Sequence, residues 1–246
     1  MAIKKEYLIF HLYGPMASFG DVAVGEYRPT HAHPTKSAIL GIVSGALGIR
    51  RDEEERHKEL ESSFGFAVMV LHEGQLLRDY HTSQVPSSGK NYFATRKDEL
   101  AEEKSKLHTI LSARDYRTDA MYRVALWKKT TVGPGLSELQ NSLEQPVFVP
   151  YLGRKSCPVS LPMDPEIVSS ENEVTALEAS QIRIKDKMGK ILSRKENTGY
   201  LVYTESANHK NTIQSVWRKD KLTSRNRWQF SDRREFMIKS EGKNVL

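Results

Sequence analysis

Cysteine is nearly absent from this chain of 246 residues, which carries one, at position 157. A single cysteine excludes an internal disulfide framework and agrees with a reducing compartment, so we expect a cytoplasmic protein. The sequence contains no run of about 18 apolar residues, and it therefore predicts no membrane-spanning segment and no membrane partner. The residues that are present are typical of a globular chain, with 38% hydrophobic and 9% aromatic residues.

Acidic residues are scarce toward the C-terminal end. Between positions 183 and 239 the chain has 15 lysines and arginines against 6 aspartates and glutamates, a local net charge of +9. The whole chain has a net charge of only +6, so the positive excess is concentrated there. A face exposed only to solvent usually mixes its charges, and a concentrated excess favours an anionic partner such as nucleic acid.

Hydrophobic patterning predicts a mixed α+β chain. Apolar and aromatic runs predict strands at 7–14, 64–71, 121–127, 199–205 and 235–240, and a strand or an extended arm at 76–85. Helical spacing predicts helices at 35–49, with Thr35 as N-cap, and at 136–143. Residues 50–62 are typical of a solvated helical turn, and 97–113 of a polar helix or a flexible excursion. Because Gly41 and Gly45 are costly inside a helix, we expect a sheet to lie against them.

The order of these elements is strand, helix, strand, long insertion, strand and helix. This is the β-α-β-β-α-β order of ferredoxin-like folds, which many RNA-recognition modules use. We therefore predict a single RRM-like domain over 1–246, with an inserted segment at 83–120. A basic, β-rich C-terminal portion at 165–240 is expected to pack on this core.

The stretch VPYLGRKSCPVSLP, residues 149–162, holds the single cysteine in a proline-rich region where regular structure is not expected. Arg154 and Lys155 would favour the thiolate form of Cys157. A catalytic thiol also needs a base, however, and the nearest histidines along the chain are His108 and His209. We therefore predict that Cys157 packs as a small apolar side chain.

Two glycine-bearing loops, GPMASFG and LGRKS, match neither a P-loop nor a dinucleotide fingerprint. They fit the capture of RNA phosphates, because glycine lets backbone N–H groups approach while arginine and lysine neutralise the charge. Tyr151, beside the second loop, could stack on a base. His31 and His33 lack a cysteine or acidic ligand at a usual spacing, so neither a metal nor a cofactor is predicted.

Several longer stretches occur together in the order of one family. They are LYGPMASFGD, YRPTHAHPTKSAILGIVSGALGIRRD, LRDYHT, ARDYRTDAMYRVALW, PYLGRKSCP and EFMIKS. In patches over residues 5–162 and 228–240 the chain resembles the CasD family, RAMP-superfamily subunits of the type I-E Cascade complex in CRISPR antiviral defence. Phe19 stands where that family usually has tryptophan.

This resemblance implies a fold, a function and a set of partners. CasD-like proteins have an RNA-recognition-type core with a protruding thumb, which the insertion at 83–120 would form. They bind the 5′ handle of the CRISPR RNA without cutting it. They pack against the repeated backbone subunit and the large subunit that inspects target DNA, which would run near the thumb. The resemblance thus implies a non-catalytic subunit that helps assemble a ribonucleoprotein for recognition of invading DNA.

The resemblance also implies which residues contact RNA. The implied set is Gly14, Pro15, Met16, Arg28, Lys36, Ser37, Arg114, Tyr151, Gly153, Arg154, Lys155 and Ser156, and we add His81 to it.

Two other functions remain open at this stage. Relatives in another CRISPR subtype cut their own repeat RNA without metal, and such chemistry needs a base and a cation near the scissile phosphate. His81, Tyr80 and Lys36 are the candidates for a metal-independent endoribonuclease, although no spacing forces them together. A general RNA-binding module outside any fixed complex is the third hypothesis.

Overall fold

A computed structural model describes residues 4–20, 23, 25–87, 92–180, 199–207 and 209–240. Its strands are β1 (Lys5–Tyr13), β2 (Met16–Ala17), β3 (Tyr27–Arg28), β4 (Phe64–His72), β5 (Gln75–Pro86), β6 (Leu107–Thr118), β7 (Met121–Lys128), β8 (Glu166–Ser170), β9 (Leu201–Thr204), β10 (Thr212–Ser224) and β11 (Gln229–Lys239). Its helices are α1 (Lys36–Ala46), α2 (Glu54–Ser63), α3 (Arg96–Leu100), α4 (Leu136–Glu144) and α5 (Glu173–Ala179), with a 3₁₀ turn at Lys104–Lys106. The predicted mixed α+β class is confirmed.

A seven-stranded sheet in the order β10-β11-β9-β4-β7-β1-β8 forms the centre of the molecule, and all of its pairings are antiparallel. Alternation along β1 divides the core, because successive side chains point to opposite faces. Leu8 and Phe10 pack with α1, α2 and α4 on one face. Tyr7 and Ile9 pack with α5 on the other face. Helices therefore cover both faces of the sheet.

Helix α1 begins where the sequence predicts. The side chain of Thr35 caps the helix by accepting from the backbone N–H of Ala38 at 3.3 Å. Ile39, Val43 and Ala46 on its inner face are almost fully buried in the core. The helix ends at Ala46, before the predicted end at 49. None of the described helices is long and apolar enough to cross a membrane.

A second, smaller sheet projects from the core as a long hairpin arm. Strands β5 and β6 pair antiparallel from Gln75↔Thr118 to Pro86↔Leu107, and β2 and β3 flank β6. The prediction of a polar helix or flexible excursion at 97–113 is wrong beyond Leu100, because residues from Leu107 onward pair along the whole of β5. Cross-strand pairing overrides the helical preference of the charged segment.

The C-terminal part contains more regular structure than the sequence predicts. β8, α5 and β10 are absent from the prediction, and β11 begins six residues before the predicted strand at 235–240. Strands β10 and β11 form a twisted hairpin at the edge of the main sheet, with irregular register at three places. Of the 15 basic residues between 183 and 239, the six at 183–195 lie outside the described part of the chain.

Arg123 and His11 form a buried hydrogen-bonded pair beneath the sheet on the α5 side. Arg123 donates from Nε to Nε2 of His11 at 2.9 Å and from a terminal nitrogen to the carbonyl of Leu177. Burial, followed by the neighbouring charge of Arg123, lowers the pKa of His11 from 6.5 to about 3. His11 is therefore neutral and acts as the acceptor for the guanidinium.

Replacing His11 with glutamine is expected to flatten the pH dependence of stability. Because the folded pKa lies below the unfolded value, the unfolded chain binds a proton first, and stability falls as pH drops below about 6.5 toward 3. Between pH 7 and 5 this single group should lower the free energy of unfolding by about 2 kcal/mol. Urea unfolding of both proteins at the two pH values measures the difference. Equal losses of unfolding free energy in the variant and the wild type would show that His11 is not the source of this pH dependence.

Candidate nucleic-acid interface

The loop that carries the single cysteine is packed against the turn after β1. The backbone N–H of Ser18 donates to the carbonyl of Leu152 at 3.0 Å. Gly153 has a φ of +84°, and a Cβ at that position would lie 1.9 Å from the carbonyl oxygen of Ser18. A Cβ on Gly14 would lie 2.8 Å from the carbonyl oxygen of Pro158. Both glycines therefore permit contact between two chain segments, whereas the sequence suggested that they allow a phosphate to approach.

Cys157 lies on the inner side of this loop, with 1% of its surface exposed. Burial raises the pKa of its thiol, against the smaller opposing effects of Ser156 and Arg154. The packing role predicted for Cys157 is confirmed, because the side chain belongs to the main core cluster.

All three arginines of the predicted RNA-contacting set, Arg28, Arg114 and Arg154, meet at the base of the arm. Arg28 and Arg114 are register partners in the parallel pairing of β3 and β6, so their side chains project from the same face. Both are exposed. Arg154 approaches from the loop, donating to the carbonyl of Arg28 at 3.3 Å and stacking over the ring of Tyr116 at 4.7 Å. Below, these three residues are called the arginine patch.

His81 lies on the same face of the arm as the arginine patch. Its strand partner is Ser112, two residues before Arg114, and its Nδ1 lies 3.2 Å from Oδ2 of Asp79. Tyr80 is 63% exposed and, as the next residue along the strand, projects from the opposite face. The structure thus separates His81 from Tyr80, and Lys36 is buried in the main body.

Lys36 forms a buried ion-pair network behind the start of α1. Its Nζ lies 3.1 Å from Oε1 of Glu61 and 3.0 Å from Oε2 of Glu205, with 2% of its side chain exposed. Burial favours the neutral amine, yet the charges of Glu205 and Glu61 raise the pKa of Lys36 above its ordinary value. The ammonium already has two carboxylate partners, so Lys36 is not available for the predicted phosphate contact in this structure.

A cleft of about 910 Å³ runs between α1, the loop at 148–158 and the tip of the β10–β11 hairpin. The predicted residues Ser37, Tyr151, Gly153 and Lys155 line it. Arg50, Arg51 and Arg225 add positive charge to its rim. A second cleft of about 780 Å³ shares Ser37 and Trp228 with the first and extends along β10.

Trp228 is the most unusual residue of the cleft. It lies at the hairpin tip with a φ of 55° and 53% of its surface exposed. A bulky side chain in the left-handed region costs roughly 1–3 kcal/mol, and such strain is found mainly at functional sites. Its ring lies 4.2 Å from the guanidinium of Arg225 and 4.8 Å from that of Arg51. The two arginines hold an exposed aromatic ring in place at the cleft wall.

The remaining predicted residues lie beside these features. Pro15 is exposed, and Met16 pairs with Thr118 at the base of the arm. Ser156 is exposed next to the buried Cys157. Phe19, at the family's usual tryptophan position, is 1% exposed and packs edge-on against Tyr122, so it cannot stack on a base.

Sequence reasoning missed Arg50, Arg51 and Trp228. The pattern at 50–62 predicts only a solvated helical turn for the two arginines, and nothing in it indicates that the hairpin tip folds back onto them. The hairpin tip is anchored beside these arginines by the backbone N–H of Asn226, which donates to Oε2 of Glu54 at 2.8 Å. In the described part of the chain no group of three or more histidine, cysteine or acidic side chains could hold a metal ion.

The chain is similar in sequence and in fold to known CRISPR-associated proteins. The model of the CRISPR-associated protein (Cas_Cas5) family matches residues 7–234. The chain is 35% identical over 167 residues to the CRISPR system Cascade subunit CasD of Escherichia coli (strain K12), covering 65% of this chain and 70% of that protein. A chain of a CRISPR RNA-guided surveillance complex superposes with a TM-score of 0.65 at 22% identity, covering 95% of this chain and 90% of that one. A crystal structure of a Cas protein superposes with a TM-score of 0.59 at 21% identity, covering 97% of both chains.

Proposed function

The chain belongs to the Cas5 family of CRISPR-associated proteins, and on that basis we propose that it is a non-catalytic, CRISPR RNA-binding subunit of a type I-E Cascade surveillance complex. The 35% identity to the Cascade subunit CasD of Escherichia coli supports this assignment. The bound RNA segment is the 5′ handle, and the complex recognises invading DNA.

The single observation that carries this proposal is the arginine patch. Arg28 and Arg114 project side by side from the base of the arm without a carboxylate partner among the described ion pairs. Exposed guanidinium groups in such a pair match two successive phosphates, because arginine presents several donors in a fixed plane. Tyr151 and Lys155 lie beyond the patch on the same loop as Arg154, so RNA that crosses the patch continues toward the cleft.

We infer further that the core is ferredoxin-like and that the arm is the thumb. The first inference is supported by the sheet, in which β1, β4, β7 and β8 would be the first to fourth strands of the β-α-β-β-α-β core. They lie side by side in the order β4-β7-β1-β8 with antiparallel pairings, which is the 2-3-1-4 order of that fold. The arm of β5 and β6 supports the second, and it contains most of the predicted insertion at 83–120. The portion at 165–240 then belongs to the same single domain: it supplies β8, the fourth core strand, at one edge of the sheet and adds β9–β11 at the other.

The proposed partners follow from the same assignment. The handle of the CRISPR RNA binds at the patch, the repeated backbone subunit and the large DNA-inspecting subunit pack against this chain, and target DNA passes near the thumb. A cytoplasmic complex needs no membrane anchor. The separation of His81, Tyr80 and Lys36 supports a non-catalytic role, because these candidates for RNA cleavage do not share one site.

Co-purification from the native operon tests the proposal. The tagged chain should retain CRISPR RNA that begins with the repeat-derived handle, together with the other subunits of one complex. End-labelled repeat RNA incubated with the pure chain in EDTA should remain intact. Recovery of unrelated cellular RNA without other subunits would contradict the assignment, as would cleavage at one phosphate.

A further inference from the structure

An apolar groove of about 580 Å³ lies between the end of α4 and residues 159–165, the segment that leads into β8. Leu143, Met163 and Pro165 in its lining are buried. The backbone N–H of His11 donates to the carbonyl of Met163 at 2.7 Å. The side chain of Gln140 donates to the carbonyl of Pro165 at 3.2 Å. β1 and α4 therefore hold the walls of this apolar groove in place.

The apolar groove differs in charge from the 910 Å³ cleft over α1. Its described lining contains two carboxylates, those of Glu144 and Asp164, and no lysine, arginine or histidine. The described lining of the cleft contains four lysines and arginines and no carboxylate, and the two linings share only Pro150. Because carboxylates repel phosphates, the apolar groove does not suit RNA and favours a cationic partner.

The two depressions also differ in the backbone that they present. The cleft exposes Gly41 and Gly45 of α1, and a Cβ on Gly41 would have no neighbouring atom within 4 Å. The prediction that a sheet covers these glycines is therefore wrong, because the core packs against the other side of the helix. The apolar groove instead presents four proline rings, those of Pro146, Pro150, Pro162 and Pro165. Proline has a fixed φ and no N–H to offer a phosphate, so these walls are rigid and suit an apolar side chain.

Three consecutive apolar side chains beside the groove are exposed. Val147, Phe148 and Val149 have 66%, 44% and 79% of their surface exposed, and they follow one groove proline and precede another. The backbone N–H groups of Val147 and Phe148 donate to carbonyls at the end of α1, each at 3.1 Å, which fixes the stretch against the helix. Adjacent exposed apolar side chains beside an apolar groove mark a protein–protein contact, whereas scattered ones do not.

Resting on the proposed function, we propose that the apolar groove is the docking site for another protein subunit of the complex. The occupant is an extended segment that inserts one apolar side chain between the proline rings and places a lysine or arginine beside Glu144. Charge complementarity decides this choice, because the two carboxylates of the lining repel RNA and acidic segments alike. The arginine patch then binds RNA and the apolar groove binds protein, so the two contacts can be tested separately.

Two exposed residues of the groove provide the test variants. Ser160→Trp fills the groove, and Glu144→Lys reverses the charge at its rim. In the complex purified from the native operon, Ser160→Trp should weaken retention of the docked subunit about thirtyfold, the loss of one interface hot spot. Glu144→Lys should weaken it about fivefold, the loss of one exposed ion pair. Native mass spectrometry over a dilution series measures retention of each subunit.

The matched control is Glu138→Lys, which lies on the same helix and is also exposed, but is outside the groove. It makes the same change in net charge and should retain every subunit like the wild type. The isolated Glu144→Lys and Glu138→Lys chains should bind handle RNA equally well, and thermal melting confirms that both are folded.

Site-specific cross-linking identifies the occupant. The single cysteine, Cys157, is 1% exposed, so Ser160→Cys supplies the one accessible thiol for a benzophenone maleimide. In the assembled complex this probe should cross-link to a basic, apolar segment of another subunit. Changing the basic residue of that segment to glutamate should weaken retention by the wild type and restore it for Glu144→Lys, because the ion pair is then reversed.

The inference and the proposed function fail in different ways. An absent cross-link, or a cross-link to RNA or to a second copy of this chain, would overturn the docking site. So would a complex in which Ser160→Trp and Glu144→Lys retain every subunit like the wild type, or a charge exchange that restores nothing. A wild-type chain that co-purifies with no other subunit would instead refute the proposed function.

Discussion

Replacing Lys36 with methionine is expected to lower the free energy of unfolding by about 3–5 kcal/mol, the largest effect of any single substitution considered. Methionine keeps the length of the side chain but leaves Glu61 without its buried partner, and an uncompensated buried charge is strongly destabilising. Glu205 keeps one partner, because Nζ of Lys129 lies 3.1 Å from its other oxygen. Urea unfolding at pH 7 measures the change.

The matched control is Lys58→Met on the outside of α2. Lys58 also contacts two carboxylates, at 2.9 Å and 3.7 Å, but 45% of its side chain is exposed. Exposed ion pairs contribute about 0–1 kcal/mol, so this variant should unfold almost like the wild type. Adding Glu61→Gln to Lys36→Met should restore part of the stability, because the unpaired charge is then removed.

The pH dependence of Lys36→Met provides a second readout. Burial raises the pKa of Glu61 and the charge of Lys36 opposes that rise, so the variant should raise it further. A carboxyl whose pKa is higher in the folded than in the unfolded state favours folding while it is protonated. The variant should therefore lose stability as pH increases through the folded-state pKa of Glu61. The deficit relative to the wild type should therefore be smaller at pH 5 than at pH 8. If the variant had normal stability but weakened RNA binding, the result would instead support the prediction that Lys36 contacts an RNA phosphate.

The sequence predicts the centre of this molecule well and its periphery poorly. β1, α1, β4, β7 and α4 occur near the predicted positions, because their apolar spacing is set by burial against one shared core. The spacing predicts which side of α1 is buried. It cannot predict what lies over the opposite side, which depends on chain segments more than a hundred residues away.

The elements that the sequence missed are those whose pattern depends on pairing at an edge. β6 carries charged and polar residues that resemble a surface helix, and only its twelve-residue register with β5 makes it a strand. β10 similarly alternates between exposed and partly buried residues, with no continuous apolar face. For such strands, neighbouring strands rather than local propensity determine the structure.

In the candidate site, too, the sequence predicts the role of some residues and misassigns others. Arg28, Arg114 and Arg154, which the family resemblance assigns to RNA contact, lie close together at the base of the arm. Lys36 does not join them, because residues at 61 and 205 enclose it before any ligand binds. The sequence also assigned Gly14 and Gly153 to phosphate binding, although both are required where one loop touches another. A charge or a glycine within a motif therefore does not reveal whether its partner is the ligand or the protein.

Removing both exposed arginines of the patch, Arg28→Ala with Arg114→Ala, is expected to weaken binding of the handle RNA about a hundredfold. A hydrogen bond to a charged group contributes about 1.5–3 kcal/mol, so two phosphate contacts at the lower end sum to about 3 kcal/mol. Stability should change little, because both side chains are exposed and neither contributes to the core. Fluorescence anisotropy with labelled RNA measures affinity, and thermal melting confirms the fold.

The salt dependence of the same variant distinguishes phosphate contacts from indirect effects. Each phosphate contact on single-stranded RNA contributes about 0.7 to the slope of log affinity against log salt, so two lost contacts should reduce the slope by about 1.4. Lys4→Ala with Lys5→Ala is the matched control, because it removes the same charge at the opposite end of β1 from the Gly14 turn. If the patch contacts phosphates, the control keeps both the affinity and the slope of the wild type. Equal losses in the two variants would show that only net charge matters, and the arginine patch would then have no specific role in holding the RNA.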